Sequence, residues 1–282
     1  MSNRKAFRRG FRRFAKNPLQ LGSLIIFAFV VMVVIMPHVF AAYDPLKMDY
    51  TALMKGPSVQ HWFGTDQFGR DILSRTAYGA QNTMKIAVLS IMMATGIGTV
   101  FGVVSGYFGK WVDQIIMRVI DSFFAFPSII LALFIIAMFG ASMTNLIIAI
   151  GVVYVPIFAR TIRGSTIALR ESLFVKASRA LGKSHLKIMI TDILPNISSI
   201  VIVTFTTNLS TALLTEAGLG FLGLGVPPPH PTLGSMVGQG NNYLLSAPWM
   251  ALFPGLVIAV IVLSINIIGD GLRDVLDPRV GK

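Results

Sequence analysis

Cysteine is absent from the 282-residue chain, so disulfides, thiolate nucleophiles and cysteine-ligated metals are excluded. Histidine is scarce: His38, His61, His185 and His230 lie far apart, with no HExxH-type pair, which leaves little for metal chemistry. Charge is scarce as well. Charged residues make up 13% of the chain, about half the quarter that is usual in soluble domains, while more than half of all residues are apolar. That is the composition of a membrane protein. The few charges are unevenly signed, 24 basic against 12 acidic, for a net charge of +12. In a soluble chain such an excess points to nucleic acid, but in a membrane chain its placement reports topology first.

A bilayer core of about 30 Å needs about 20 apolar residues of helix. Six stretches qualify: residues 19–42, 84–108, 123–140, 143–160, 197–217 and 249–268. The first has a basic head and a cleavage-like Val39-Phe40-Ala41, but its apolar run is too long for a signal peptide, so it reads as an anchor. Pro156 interrupts the fourth, which neighbouring helices can accommodate. Seven Lys and Arg residues between Arg4 and Lys16, and seven more between Arg160 and Lys187, mark two cytoplasmic segments. The stretch from Gly218 to Pro248 has no Lys, Arg, Asp or Glu, and residues 43–80 balance Lys47, Lys55, Arg70 and Arg75 against Asp44, Asp49, Asp66 and Asp71. Those two segments face outward, and six spans with both termini inside satisfy every loop. The basic excess is thereby accounted for, and no nucleic-acid partner is implied.

The resulting organisation is an all-α integral membrane protein. Residues 1–18 form a cytoplasmic interfacial helix carrying Phe7, Phe11 and Phe14 among arginines, or else a basic tail. The first span, 19–42, and an extracytoplasmic loop, 43–83, follow. A core of five spans covers 84–268, with a cytoplasmic loop at 161–196 and an outer loop at 218–248; residues 269–282 are a cytoplasmic tail. In that tail Asp270, Arg273, Asp274, Asp277 and Arg279 read as a structural cap or a partner contact. Ser90, Ala94, Gly98, Gly102 and Gly106 recur every four residues along the second span, a ridge on which another helix backbone can approach closely.

One polar island interrupts the apolar pattern: FVKASRALGKSHLKIMITDILPN, residues 174–196. Its A-x-x-x-x-G-K-S passage, Ala177 to Ser184, matches a relaxed phosphate loop only in form, because no buried strand precedes it and only one glycine is present. Two short helices joined at Gly182 account for it better. Leu173, Phe174, Ala177 and Leu181 share one face of the first, Gly182 can take the left-handed conformation that ends a helix, and Leu194-Pro195 opens the next span. Such an element either docks into a partner's groove or lies on its own bundle.

On the outer side, Glu216 is an acid at a span end. It either lines an outer gate or pathway, or it pairs with a base or snorkels to the interface. Gly218, Gly220, Gly223 and Gly225, followed by Pro227-Pro228-Pro229, make an irregular uncharged segment that reads as a gate-like re-entrant element or a surface loop. In GTDQFGRDILSR, the side chains of Asp66, Arg70, Asp71 and Arg75 stand at helical spacings. They either pair with one another to fold the loop or contact an external partner.

Residues 174–196 resemble the EAA loop of permease subunits of bacterial ABC importers, at Lys176, Ala177, Ser178, Gly182, Leu194 and Pro195. HWFGTDQFGRDILSR, ARTIRGSTIALRESLFVKASRALG, TEAGLGFLGLGVPPPHPTLG and APWMALFPGLVIAVIVLSINIIGDGLRDVLDPR extend the likeness over nearly the whole chain. Together they resemble the C-type permease subunit of dipeptide and oligopeptide importers, a type that nickel importers share. The resemblance implies six transmembrane helices in the bundle of a type I importer, in a bacterial inner membrane. It implies that residues 174–196 couple the permease to its ATPase. It further implies a homologous second permease subunit, two cytoplasmic ATP-binding subunits that use ATP and Mg, and an extracytoplasmic solute-binding protein that Asp66, Arg70 and Asp71 are candidates to contact. The chain itself would be non-catalytic, surrounded by membrane lipid, with no cofactor of its own. Three positions depart from the pattern: Lys176 stands where the family has Glu, Ser178 where it has Ala, and Leu233 where Trp is frequent. The cargo implied is di- or oligopeptide, the alternative being nickel or a metal chelate. A stand-alone secondary transporter would call for an intramembrane acid or histidine relay or an inverted repeat, and an intramembrane hydrolase for a Ser/His or paired-Asp site.

Overall fold

A computed structural model describes residues 18–276. The expected helix at 1–18, and Asp277 and Arg279, lie outside the described residues. Helix α1 (Pro18–Ile35) and a single turn, α2 (Pro37–Phe40), lead to an outer loop. Helix α3 (Ile72–Phe108) descends to α4 (Lys110–Phe124) and α5 (Ser128–Phe139), and α6 (Met143–Arg170) follows. Then come α7 (Leu173–Ala180), α8 (His185–Ile188), a π-helical turn (Met189–Ile193), α9 (Leu194–Phe221), α10 (Leu233–Asn241) and α11 (Trp249–Leu276). Among the described residues there is no strand, only an isolated bridge between Thr65 and Asp71.

Five helices are long and apolar enough to cross a membrane, and α4 with α5 make a sixth candidate, bent by 89°. The expected span at 123–140 is therefore not one helix. The twelve residues of α5 reach only about 18 Å at 1.5 Å per residue, short of a bilayer core. The α3–α6 packing shows why the pair must still count as one crossing. Gly98 abuts Phe158, Gly102 abuts Ile162 and Gly106 abuts Thr166, so the register advances together and the two helices run parallel. Two parallel spans need a return crossing between them, and α4–α5 is the only chain available. Arg163 holds Asp113 with two bonds, at 2.5 and 2.6 Å, tying the start of α4 to α6.

The ridge of small residues is the seam of this pairing. Ser90, Ala94, Gly98, Gly102 and Gly106 are all buried, and a Cβ on any of the three glycines would stand within 3.0 Å of atoms of α6. Around the seam, Ile86, Ile91, Leu146, Ile150, Phe158, Leu213 and Ile261 form the membrane core. Pro156 sits inside α6 without ending it.

The second span begins earlier than its apolar run. Helix α3 starts at Ile72, not at residue 84, because Asp71 caps it, accepting from the Ser74 amide at 2.8 Å and its hydroxyl at 2.7 Å. Hydropathy cannot see these first turns: Arg75 lies in them, yet it is buried by the loop. That loop is closed by its charges. Asp66 accepts from Arg70 Nε at 2.6 Å and faces Arg75 Nε at 3.5 Å, His61 lies 2.9 Å from Asp71, and Arg75 also donates to the Pro45 carbonyl. Trp249 donates to the Thr65 carbonyl, and Phe63 stacks on Phe253 at 4.1 Å, fastening the loop to α11.

Candidate functional site

The polar island folds as two short helices with opposite orientations of their apolar sides. Helix α7 ends in a Schellman turn: Lys183 N–H donates to the Ser178 carbonyl, Gly182 N–H donates to the Arg179 carbonyl, and Gly182 has φ +76°. Nothing lies within 4 Å of a Cβ built on Gly182, so its requirement is conformational and not steric. Val175 is the buried residue of α7, held in a cluster with Val103, Tyr107, Ile162, Ile188, Met189 and Ile193. The Leu173, Phe174, Ala177 and Leu181 side points the other way; Leu173 and Leu181 are each 87% exposed. The island thus divides: α8 and the π turn lie on the bundle, while α7 presents its apolar face outward.

Polar contacts fix this arrangement. Lys183 Nζ donates to Asp192 Oδ1 at 2.6 Å across the hinge, and Tyr107 Oη meets His185 Nδ1 at 2.8 Å. The Arg179 guanidinium lies 5.3 Å from the Tyr107 ring centre, and Arg170 reaches the carbonyls of Gly106 and Tyr107. The end of α3 is thereby bonded to both sides of the hinge. Lys176, exposed, pairs with Glu171 at 3.2 Å, and its ammonium, with the Arg170 guanidinium, holds the Glu171 carboxyl below the usual carboxylate range. None of these pairs was anticipated from the sequence; Lys183 and Asp192 are nine residues apart across a turn, a spacing that carries no periodic signal. Leu194 is half-buried and Pro195 exposed at the start of α9, just after the π turn.

At the other end of the bundle, the segment after α9 is not a plain surface loop. Gly223, φ +81°, closes α9 with a second Schellman turn, in which Leu224 N–H donates to the Leu219 carbonyl. Thr232 and Ser235 then form a capping box that starts α10. Helix α10 buries Leu233, Gly234 and Met236, and its backbone lies close enough to Ala217 that a Cβ on Gly234 would overlap the Ala217 carbonyl. Gly218, by contrast, has open space around it.

Glu216 is fully buried in this packing. Neither carboxylate oxygen has a partner at hydrogen-bond geometry, and the hydroxyls of Thr83 and Thr232 stand beside it. It therefore neither lines an open mouth nor snorkels, and no cation pairs with it among the described residues. Its own chain encloses it, which also removes it from the reach of another subunit. Asp66, Arg70 and Asp71 are likewise 3–5% exposed and bonded within the loop. Side chains this enclosed are not offered to an external partner, whereas the neighbouring Trp62 and Tyr50 are exposed.

Comparison with known proteins matches residues 98–282 to the family described as "Binding-protein-dependent transport system inner membrane component". Residues 5–57 match the N-terminal TM domain of oligopeptide transport permease C. The dipeptide transport system permease protein DppC of Alkalihalophilus pseudofirmus is 42% identical over 274 residues, 97% of this chain and 90% of that protein. The glutathione transport system permease protein GsiD of Escherichia coli O157:H7 is 39% identical over 271 residues, covering 96% and 89%. A solved structure of the MetNI methionine ABC transporter in inward-facing conformations superposes with a TM-score of 0.59 at 20% identity, over 73% of this chain and 98% of that one.

Proposed function

The chain belongs to the binding-protein-dependent transport system inner membrane component family and is the permease subunit of an ABC importer, and from that premise we propose that it forms half of an import pathway for di- and oligopeptides. Two similar proteins support the cargo, since one is named for dipeptides and the other for glutathione, itself a short peptide. A homologous second permease would supply the other half, and an extracytoplasmic binding protein would deliver the peptide.

In this reading two cytoplasmic subunits hydrolyse ATP with Mg, and residues 174–196 receive the resulting movement. The observation that carries it is the outward apolar face of α7, exposed at Leu173, Phe174 and Leu181 while Val175 anchors the helix from below. A membrane protein gains nothing by holding leucines in water on a helix pinned at its back, unless another surface covers them. In this reading the basic residues between Arg160 and Lys187, with those between Arg4 and Lys16, favour a cytoplasmic placement of this loop and both termini at a bacterial inner membrane.

Crosslinking tests the coupling role. The cysteine-free chain allows Ala177→Cys to be paired with single cysteines in the ATPase of the reconstituted importer. The expected result is a crosslink whose yield changes on ATP binding. Peptide uptake driven by ATP with no crosslink from α7 would move coupling to another surface.

A further inference from the structure

Midway along α9 an unusual face is exposed. Thr207 and Asn208 are the central residues of a helix that runs from Leu194 to Phe221, so they lie near the middle of the bilayer. Thr207 and Thr211 are exposed and Asn208 half-buried. Beside them, at similar depth on α11, stands exposed Asn266, which Ser210 binds at 2.5 Å. Exposed side chains elsewhere on these spans include apolar ones, among them Leu24, Ile25 and Phe29 on α1 and Leu256, Val260 and Leu263 on α11. Lipid is an adequate solvent for those faces. It is a poor one for two asparagine side chains with unused polar groups.

The bonding pattern gives the strip a definite chemistry. The Thr207 hydroxyl donates to the Val203 carbonyl at 2.6 Å and the Thr211 hydroxyl to the Asn208 carbonyl at 2.9 Å, so both oxygens face outward as acceptors. Asn208 spends an N–H on the Thr204 carbonyl at 2.7 Å, leaving its side-chain oxygen as a third acceptor. Asn266 has its oxygen occupied by Ser210 and keeps its N–H groups as donors. Three acceptors beside an amide donor, with no charge among them, complement the N–H and C=O of a peptide bond and are indifferent to the side chains it carries.

We propose that Thr207, Asn208 and Thr211 of α9, with Asn266 of α11, form a subsite on the translocation pathway that binds the backbone amides of a passing peptide. The proposal rests on the importer reading above. It assigns backbone recognition to this chain at mid-membrane, where uncharged hydrogen-bonding groups would hold a peptide weakly enough to release it.

The test uses the complete importer in proteoliposomes, with Thr207→Cys, Thr211→Cys and, as a control on an apolar face, Leu256→Cys. Uptake of a dipeptide by a cysteine-free complex, in which the partner subunits have had their cysteines replaced, is measured first. The two threonine positions should react with a small water-soluble methanethiosulfonate, Leu256→Cys should not, and saturating dipeptide with binding protein and ATP should slow the threonine reactions severalfold. The double variant Thr207→Val/Thr211→Val, which keeps shape and removes the acceptors, should raise the KM for dipeptide by about two- to tenfold, the value of one or two neutral hydrogen bonds. Absence of labelling at both positions, labelling that dipeptide leaves unchanged, or crosslinking to the second permease would overturn the proposal. If the cysteine-free complex moves a non-peptide solute instead, and that solute protects the cysteines, the error lies in the cargo reading and the backbone assignment falls with it, while the pathway location stands.

Discussion

The α3–α6 seam allows a sharp test with the smallest possible change, Gly102→Ala. A methyl group there would stand 2.7 Å from the Ala159 carbonyl oxygen, 2.8 Å from Ile162 Cβ and 3.0 Å from the Arg163 amide nitrogen, where ordinary contact begins at 3.4 Å. Two of those three atoms are backbone, so no rotamer change relieves them, and the helices must part by about 0.7 Å at that point. Gly98 and Gly106 share the register, so parting at Gly102 loosens contacts along the whole seam. The expected loss is about 1–3 kcal/mol, with Gly102→Leu preventing assembly. Gly96 lies on the same helix with nothing within 4 Å of a Cβ, and there alanine should gain up to about 1 kcal/mol from helix propensity alone. Thermal unfolding of the purified protein in detergent compares the two. Equal stability of Gly102→Ala and Gly96→Ala would refute the close approach of α3 and α6.

Asp66→Asn leaves the Arg70 and Arg75 guanidiniums buried without their carboxylate, and should destabilise by about 3–5 kcal/mol and expose the 43–71 loop to proteolysis from outside. Gly182→Val should abolish peptide-stimulated ATP hydrolysis while Gly182→Asn retains most of it, since φ +76° excludes a β-branched residue but admits asparagine; equal activity of the two would show that the hinge conformation is dispensable. Glu216→Gln should leave unfolding stability unchanged or higher, because a buried carboxylate with no cation beside it carries a desolvation cost, while a neutral amide keeps an oxygen for the Thr83 and Thr232 hydroxyls; a loss above about 2 kcal/mol would mean that the acid itself is held by a charged partner. Leu245→Cys, fully exposed after α10, should react with an impermeant thiol reagent applied outside, and Leu181→Cys should not; the reverse would invert the topology.

Features that depend on one segment alone were legible in the sequence. The glycine at 182 stands between two runs of helix formers, and its left-handed conformation follows from that local arrangement. The repeat from Ser90 to Gly106 announced a close helix contact, although not which helix would fill it. What escaped is what several segments make together. The start of α3 lies in charged sequence, and Arg75 is acceptable there only because Asp66 and the Pro45 carbonyl are folded over it. The 89° bend between α4 and α5 was hidden by an apolar run that continues across it. Helix α10 has nine residues and no apolar periodicity to reveal it; its glycines serve close packing against α9 and α11, which hydropathy does not measure.

The 37 residues of α3 extend about 55 Å, far more than a bilayer core requires. Its outer end is clamped by the loop through Asp71 and Arg75, and at its inner end Tyr107 bonds His185 beside the Gly182 hinge. The molecule therefore contains a single rod with a handle on each side of the membrane. If α7 couples as proposed, a push on the loop would arrive at the hinge without crossing a joint, and a pull on α7 would travel back by the same rod. Signals in the two directions would then share one piece of structure, and whatever stiffens or bends that rod would alter both together.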